Sequence, residues 1–244
     1  MSILSSLGRV AGGAGGAAGR SLSRLGTNRG SLMAIGAIAG TAGTANRGGG
    51  AVYDTTELAK ISALCKELNL PLHLDGARVF NALAVNQMEA AAYGAFYDSI
   101  SVCLSKGLGA PVGSLLLGSA AFIEKARRVR KVFGGGMRQA GIIAAGGLYA
   151  LKNNVERLKE DHMHALLLGE ALQNCTLIES VLPVQTNIVV ATLKDPAQRD
   201  PMIETLKNKG ILCMAFGPGM IRMVTHLNFS ELDCSFCLET LQKM

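Results

Sequence analysis

Residues Asp54–Arg78 read DTTELAKISALCKELNLPLHLDGAR, a helix, a stop, a strand and a polar rim in 25 residues. Asp54-Thr-Thr-Glu57 has the order of a capping box, in which side-chain oxygens meet the unpaired amides of a first helical turn. Leu58, Ile61, Leu64, Cys65 and Leu68 follow at helical spacing. Asn69 suits a C-terminal cap, and Pro71 blocks continuation. Leu70–Leu74 is a short apolar run that reads as a strand, opening into the loop Asp75-Gly76-Ala77-Arg78.

The pattern repeats downstream. Ser99–Leu104 and Ser114–Leu117 read as strands, Ser119 as the cap of a helix to about Arg130, and Ala140–Leu168 as one long helix. Apolar strands alternating with helices argue for an α/β domain around a sheet covered on both faces. After Pro183 the order changes. Asn187–Thr192 is expected as a strand, Pro201–Lys209 as a helix, Ile211–Phe216 and Met220–Val224 as strands, and Ser230–Leu241 as a helix. That order suggests a small α+β domain, with the long helix as the bridge.

Composition narrows the function. Of 244 residues, 49% are hydrophobic and 17% charged, which excludes general disorder. The formal charge is +6, but residues 1–53 carry five arginines (Arg9, Arg20, Arg24, Arg29, Arg47) and no Lys, Asp or Glu, leaving +1 for the remainder. A nearly neutral body is a poor nucleic-acid surface. No uninterrupted apolar run is long enough to span a bilayer. The six cysteines mostly sit in apolar runs, and Cys234-Ser-Phe-Cys237 lacks the second ligand pair of a zinc site, so no metal and a reducing compartment are expected. Residues 1–45 read as a low-complexity Gly/Ala/Arg segment, either a tail or a targeting signal. A cytoplasmic protein is expected, with a mitochondrial one as the alternative.

In α/β folds, chemistry gathers at the carboxyl ends of strands. Asp75-Gly76-Ala77-Arg78 follows one strand and Ser105-Lys106-Gly107-Leu108-Gly109 another. If those strands are neighbours, Asp75 and Lys106 share a rim. A surface ion pair is the plain reading of such a couple. The sharper one is a pyridoxal phosphate site, where a lysine amine captures the cofactor aldehyde and a carboxylate keeps the pyridine nitrogen protonated.

Three motifs then carry a resemblance. LHLDGARVFNA (Leu72–Ala82), DSISVCLSKGLGAPVGSLLLG (Asp98–Gly118) and RKVFGGGMRQAG (Arg130–Gly141) resemble the threonine aldolase family, and FGPGMIRMVTHLNFS (Phe216–Ser230) continues the likeness. The resemblance implies an aspartate aminotransferase-like, fold-type I large domain over 46–168 and a small α+β domain over 169–244. Lys106 matches the lysine that anchors the cofactor and Asp75 the partner of its ring nitrogen. Arg78 matches an arginine near cofactor and substrate. Ser105 falls among the cofactor contacts, and Arg222 matches the arginine that holds the substrate carboxylate. Arg138 and Lys131 match basic positions near the cofactor phosphate and the site mouth. Taken as residues alone, Arg222 also reads as an edge-strand charge and Lys131 as a helix C-terminal one. His73 and His226 read as structural, and His162 and His164 as exposed.

The implied activity is cleavage of a β-hydroxy-α-amino acid, threonine or allo-threonine, to glycine and acetaldehyde, in a homodimer or tetramer with shared sites. Another pyridoxal-phosphate lyase or aminotransferase on this fold remains an alternative, as does an inactive fragment that pairs with a longer subunit. Family members also carry early strands, a Gly/Thr phosphate turn and a ring-stacking histidine ahead of the position of Asn46. Residues 1–45 contain no His, no acid and no strand-helix alternation. The resemblance therefore implies a large domain incomplete at its N-terminus, from an alternative transcript or an imperfect gene model, with weak cofactor binding and little activity.

Overall fold

The computed structural model describes residues 44–45 and 48–244. The reading of residues 1–45 as a low-complexity segment lies outside them, apart from Thr44 and Ala45. Those two residues form β1 (Thr44–Ala45), paired antiparallel with β2 (Ala51–Val52).

Helix α1 (Thr55–Glu67) starts as expected. Asp54 Oδ1 accepts from the amides of Thr56 (2.8 Å) and Glu57 (3.2 Å), a cap that contributes about 1 kcal/mol. Only half of the expected box forms, because the Glu57 carboxylate turns to Lys60 instead (2.7 Å). Asn69, just past the helix, takes the left-handed conformation (φ 51°) that ends it.

The first strand is displaced from its expected place. β3 spans His73–Gly76, not Leu70–Leu74. Leu72 is withdrawn from the ladder at both polar atoms. Its amide donates to Asp98 Oδ2 (2.7 Å), and its carbonyl accepts from the Asp98 amide (2.8 Å). Pairing begins one residue later, and Asp75 lies on the strand instead of in a loop.

Helices α2 (Val79–Asn86) and α3 (Ala90–Gly94) lead to β4 (Ser99–Cys103) and β5 (Ser114–Gly118). The sheet order is β3-β4-β5, with β3 and β4 parallel and β4 and β5 antiparallel. Leu74, Val102, Leu104 and Leu108 pack with Leu58 of α1, Val79 of α2 and Tyr93 of α3 in one buried cluster. The expectation of a sheet covered on both faces fails at β5, all five of whose residues are exposed. The next helix, α4 (Ala120–Val132), has no buried residue.

The single long helix is two. α5 (Gly141–Asn153) stops at Asn154, and α6 (Leu158–Gln173) begins four residues on. Asn154 is buried and its Nδ2 donates to the Leu108 carbonyl (2.8 Å), so it ends one helix by reaching into the loop after β4. α6 joins the two halves of the molecule. Leu158 lies in the first cluster, while Leu168 and Leu172 lie in a second. Residue 168, where the large domain was expected to end, falls inside this helix.

The second cluster sits beneath an antiparallel sheet ordered β6-β7-β9-β8: β6 (Ile178–Val181), β7 (Ile188–Leu193), β8 (Met214–Gly217) and β9 (Met220–Val224). α7 (Arg199–Asn208) and α8 (Glu231–Gln242) complete it. α8 carries the full capping box, between Ser230 and Asp233. β6 is an addition to the expected order, a short edge strand with a bulge between Ile178 and Ser180.

Candidate active site

Parallel pairing of β3 with β4 sets Asp75 opposite Ser101 and Gly76 opposite Val102, so both strands end on one rim. Gly76 is needed there: a Cβ would lie 2.6 Å from the Ser101 carbonyl oxygen. Asp75 is exposed, and its Oδ1 accepts from the Ala77 amide (3.1 Å). That turn delivers Arg78, half-buried, to the start of α2.

Lys106 stands on the tight turn that follows β4. Its carbonyl accepts from the Gly109 amide (2.8 Å), and the Leu104 carbonyl accepts from that of Ala110 (2.9 Å). Gly109 (φ +68°) lets this turn meet the loop after β9, since a Cβ there would lie 2.8 Å from Leu227 Cδ2. Between the two loops is a pocket of about 410 Å³ whose lining includes Arg78, Ser105, Lys106, Asn187, His226 and Asn228. Lys106 is exposed and makes no ion pair among the described residues.

Arg222, on β9, is electrostatically coupled to Arg78. Burial lowers the pKa of the Arg78 guanidinium, and the charge of Arg222 lowers it further. Burial lowers that of Arg222 as well. Its guanidinium lies over the Phe216 ring (5.7 Å to the centroid), and its Nε is buried with no hydrogen-bond partner among the described residues. Two half-buried guanidinium groups that feel each other's charge are suited to seat an anion, and a carboxylate matches their planar donors. Cys103 ends β4, its Sγ 3.5 Å from Ser105 Oγ. Burial works to raise its thiol pKa, but hydrogen bonding to Ser105 and the Lys106 charge outweigh it, and the net shift is downward.

The structure thus gathers Arg78, Ser105 and Lys106 at one pocket, with Arg222 coupled to Arg78 and Asp75 at the neighbouring strand end. It does not bring Lys131 or Arg138 to that pocket. Both are exposed, at the end of α4 and on the segment after it. Among the described residues no group of three or more His, Cys, Asp or Glu is placed to hold a metal ion. No helix among them is long and apolar enough to cross a membrane.

The histidines divide differently from expectation. His73 Nδ1 meets Ser99 Oγ (2.8 Å), a structural contact. His226, read as structural, lines the pocket while its Nδ1 accepts from the Asn228 amide (3.2 Å). His162 and His164 are not exposed: His162 is half-buried against Asn81 (3.0 Å), and His164 is buried edge-on to Phe229 (centroids 5.6 Å). Their helix is covered on both sides by the units that it joins. Sequence reasoning missed Asn187, which lines the pocket, and Asn154, which holds the loop that carries Lys106. Neither stands in a recognisable motif, and long-range pairing alone places them.

A family model described as beta-eliminating lyase matches residues 34–196. The low specificity L-threonine aldolase of Escherichia coli K12 is 42% identical over 186 residues, which cover 76% of this chain and 54% of that protein. The probable low-specificity L-threonine aldolase 2 of Arabidopsis thaliana is 37% identical over 199 residues, 80% of this chain and 56% of that one. The chain spans about half the length of the curated relatives that it matches. Among solved structures, a putative L-allo-threonine aldolase from Listeria monocytogenes EGD-E superposes with a TM-score of 0.68 at 22% identity, over 80% of this chain and 58% of that one. The ornithine aminotransferase of Toxoplasma gondii, with pyridoxal phosphate partly occupying its active site, superposes with a TM-score of 0.61 at 17% identity, over 88% and 54%. At these identities the structural likeness shows the shared aminotransferase-like fold and bears out the expected fold class.

Proposed function

Since the chain belongs to the beta-eliminating lyase family, we propose that it is a pyridoxal-phosphate-dependent carbon–carbon lyase acting on a β-hydroxy-α-amino acid. Threonine and allo-threonine are the substrates proposed, with glycine and acetaldehyde as products. The names of the aldolase relatives support that choice. The carrying observation is local: a lysine amine without an ion pair among the described residues opens on the same pocket as one member of a half-buried arginine pair.

The residues present fit the cofactor. Lys106 offers the amine for its aldehyde, Asp75 the carboxylate for its ring nitrogen, and Ser105 a hydroxyl beside them. The Nε of Arg222 is a buried donor with no acceptor among the described residues. When bound, the cofactor supplies an electron sink for the bond broken at the substrate's α-carbon. The chain's own residues do the rest. Arg222 and Arg78 take the carboxylate and fix the α-carbon's orientation. Asp75 would pair with the ring nitrogen of the bound cofactor, and the Lys106 amine can hold a proton at Nζ. Lys131 and Arg138 would act only at another subunit's site, consistent with a proposed homo-oligomer.

The test adds pyridoxal phosphate to the purified chain and to Lys106→Ala. We expect a weak visible absorbance band with the parent chain, absent from the variant, and slow release of acetaldehyde from threonine or allo-threonine but not from cysteine. Identical spectra for the two proteins would overturn the proposal.

A further inference from the structure

One residue that lines the pocket carries a buried polar atom with no hydrogen-bond partner among the described residues. Asn187 is only 2% exposed and lines the pocket, yet its Oδ1 accepts no hydrogen bond. The identity of that atom is not ambiguous. The Asn187 Nδ2 donates to the Thr225 carbonyl (2.8 Å), and a carbonyl can only accept, so the nitrogen is fixed there and the oxygen faces the other way. Nor can the side chain swing off to find a donor. The Thr225 amide donates back to the Asn187 carbonyl (3.1 Å), and the Thr225 hydroxyl donates to the Asp161 carbonyl (2.6 Å). Asp161 is itself fully buried and paired with Arg157 (2.8 Å). A rigidly held, buried acceptor left unmet is unfavourable in the empty site and calls for a donor from a ligand.

We propose that Asn187 is a ligand-contact residue, its amide oxygen accepting a hydrogen bond from the ammonium group of an α-amino acid whose carboxylate rests on the Arg78–Arg222 pair. This rests on the amino-acid lyase reading above. Within one small zwitterion, carboxylate and ammonium are attached to the same carbon, so a ligand seated by the arginines presents its nitrogen nearby. The lining of this pocket includes Asn187 along with Arg78 and Lys106. A carboxylate without the ammonium satisfies the arginines and leaves Asn187 unmet.

Glycine and acetate separate the two contacts. Their affinities are measured by calorimetry on the full chain and on Asn187→Leu. A lost hydrogen bond to a charged donor predicts roughly tenfold weaker glycine binding in the variant, with acetate unchanged. Equal weakening of both ligands, or of neither, overturns the inference. Because leucine also removes the amide that holds Thr225, a second measurement uses the unaltered chain. In NMR spectra the Asn187 side-chain amide resonances shift on adding glycine and not on adding acetate; no response to glycine overturns the inference as well. A parent chain that shows the Lys106-dependent absorbance but binds glycine no better than acetate refutes the Asn187 role and leaves the lyase reading standing. A chain with neither absorbance nor ligand binding refutes both.

Discussion

The His162 ring faces Asn81 across 3.0 Å, its Nε2 toward the amide nitrogen. In this orientation the amide nitrogen donates and Nε2 accepts, an arrangement that suits the neutral ring. Burial lowers the imidazole pKa below its ordinary 6.5, and the nearby Asp161 charge opposes this without reversing it. The unfolded chain therefore binds the proton more readily than the folded one. The stability this neutral ring allows is fully present above pH 6.5 and is lost as pH falls from there toward the folded value. Urea midpoints measured from about pH 7.5 down to about pH 5 should fall through the acid half, and His162→Gln should flatten part of that fall. An unchanged pH profile in the variant would refute the assignment. The same residue shows where sequence reading stops. Lys159-Glu-Asp-His-Met-His164 looks like a solvated face, because nothing local says that a second unit will cover it. Lys106, Arg78 and Arg222 could be singled out from sequence because they stand in the motifs Asp98–Gly118, Leu72–Ala82 and Phe216–Ser230 that carry the resemblance. Asn187 could not, since its meaning lies in one unmet oxygen.

At the scale of elements, the break between α5 and α6 matters most to the site. Hydrophobic spacing runs through Ala140–Leu168 without a fault, so periodicity alone gives one helix. What interrupts it is Asn154, which leaves the helix to hold the Leu108 carbonyl, two residues past Lys106. The displaced start of β3 has the same kind of cause, Asp98 reaching back to Leu72 from a distant loop. Both are hydrogen bonds between segments far apart in sequence, which local pattern cannot encode. The helices and strands themselves were largely legible, because caps, prolines and apolar runs are local. Asn154→Ala should remove a buried hydrogen bond and leave the carbonyl unmet, a loss of about 1–3 kcal/mol. It should also loosen the Lys106 turn, so that affinity for pyridoxal phosphate falls along with stability. Denaturation and cofactor titration on the same variant check both. A stability change below about 0.5 kcal/mol would place it with ordinary surface substitutions and refute the anchoring role.

At the scale of the whole molecule, the two cores are unequally covered. The antiparallel sheet buries both ends of β7, with Ile188, Val189, Val190, Ala191 and Leu193 all at 1% exposure or less. The other sheet leaves Leu115, Leu116 and Leu117 of β5 exposed, and the helices beyond it expose Val132 and Ile142 at 82% and 85%, with Phe133 between them at 84%. Exposed apolar side chains in this number are characteristic of an interaction face, and β5 adds an unpaired strand edge among the described residues. Charge does not oppose self-association, since the chain beyond residue 53 carries a net charge of only +1. A second copy is the occupant that the proposed homo-oligomer requires, and Lys131 and Arg138 lie beside this face, where they could reach its pocket. Sedimentation should therefore show mass above the 25.5 kDa of one chain, increasing with concentration. The double variant Val132→Glu, Ile142→Lys places charge on two of the most exposed apolar positions. It should shift the distribution to the single-chain mass at the same concentration without lowering the urea midpoint, because neither side chain is buried in the chain itself. A parent chain that stays at the single-chain mass at every concentration would refute the oligomer. A variant that unfolds would instead show that the face supports the fold and not an interface.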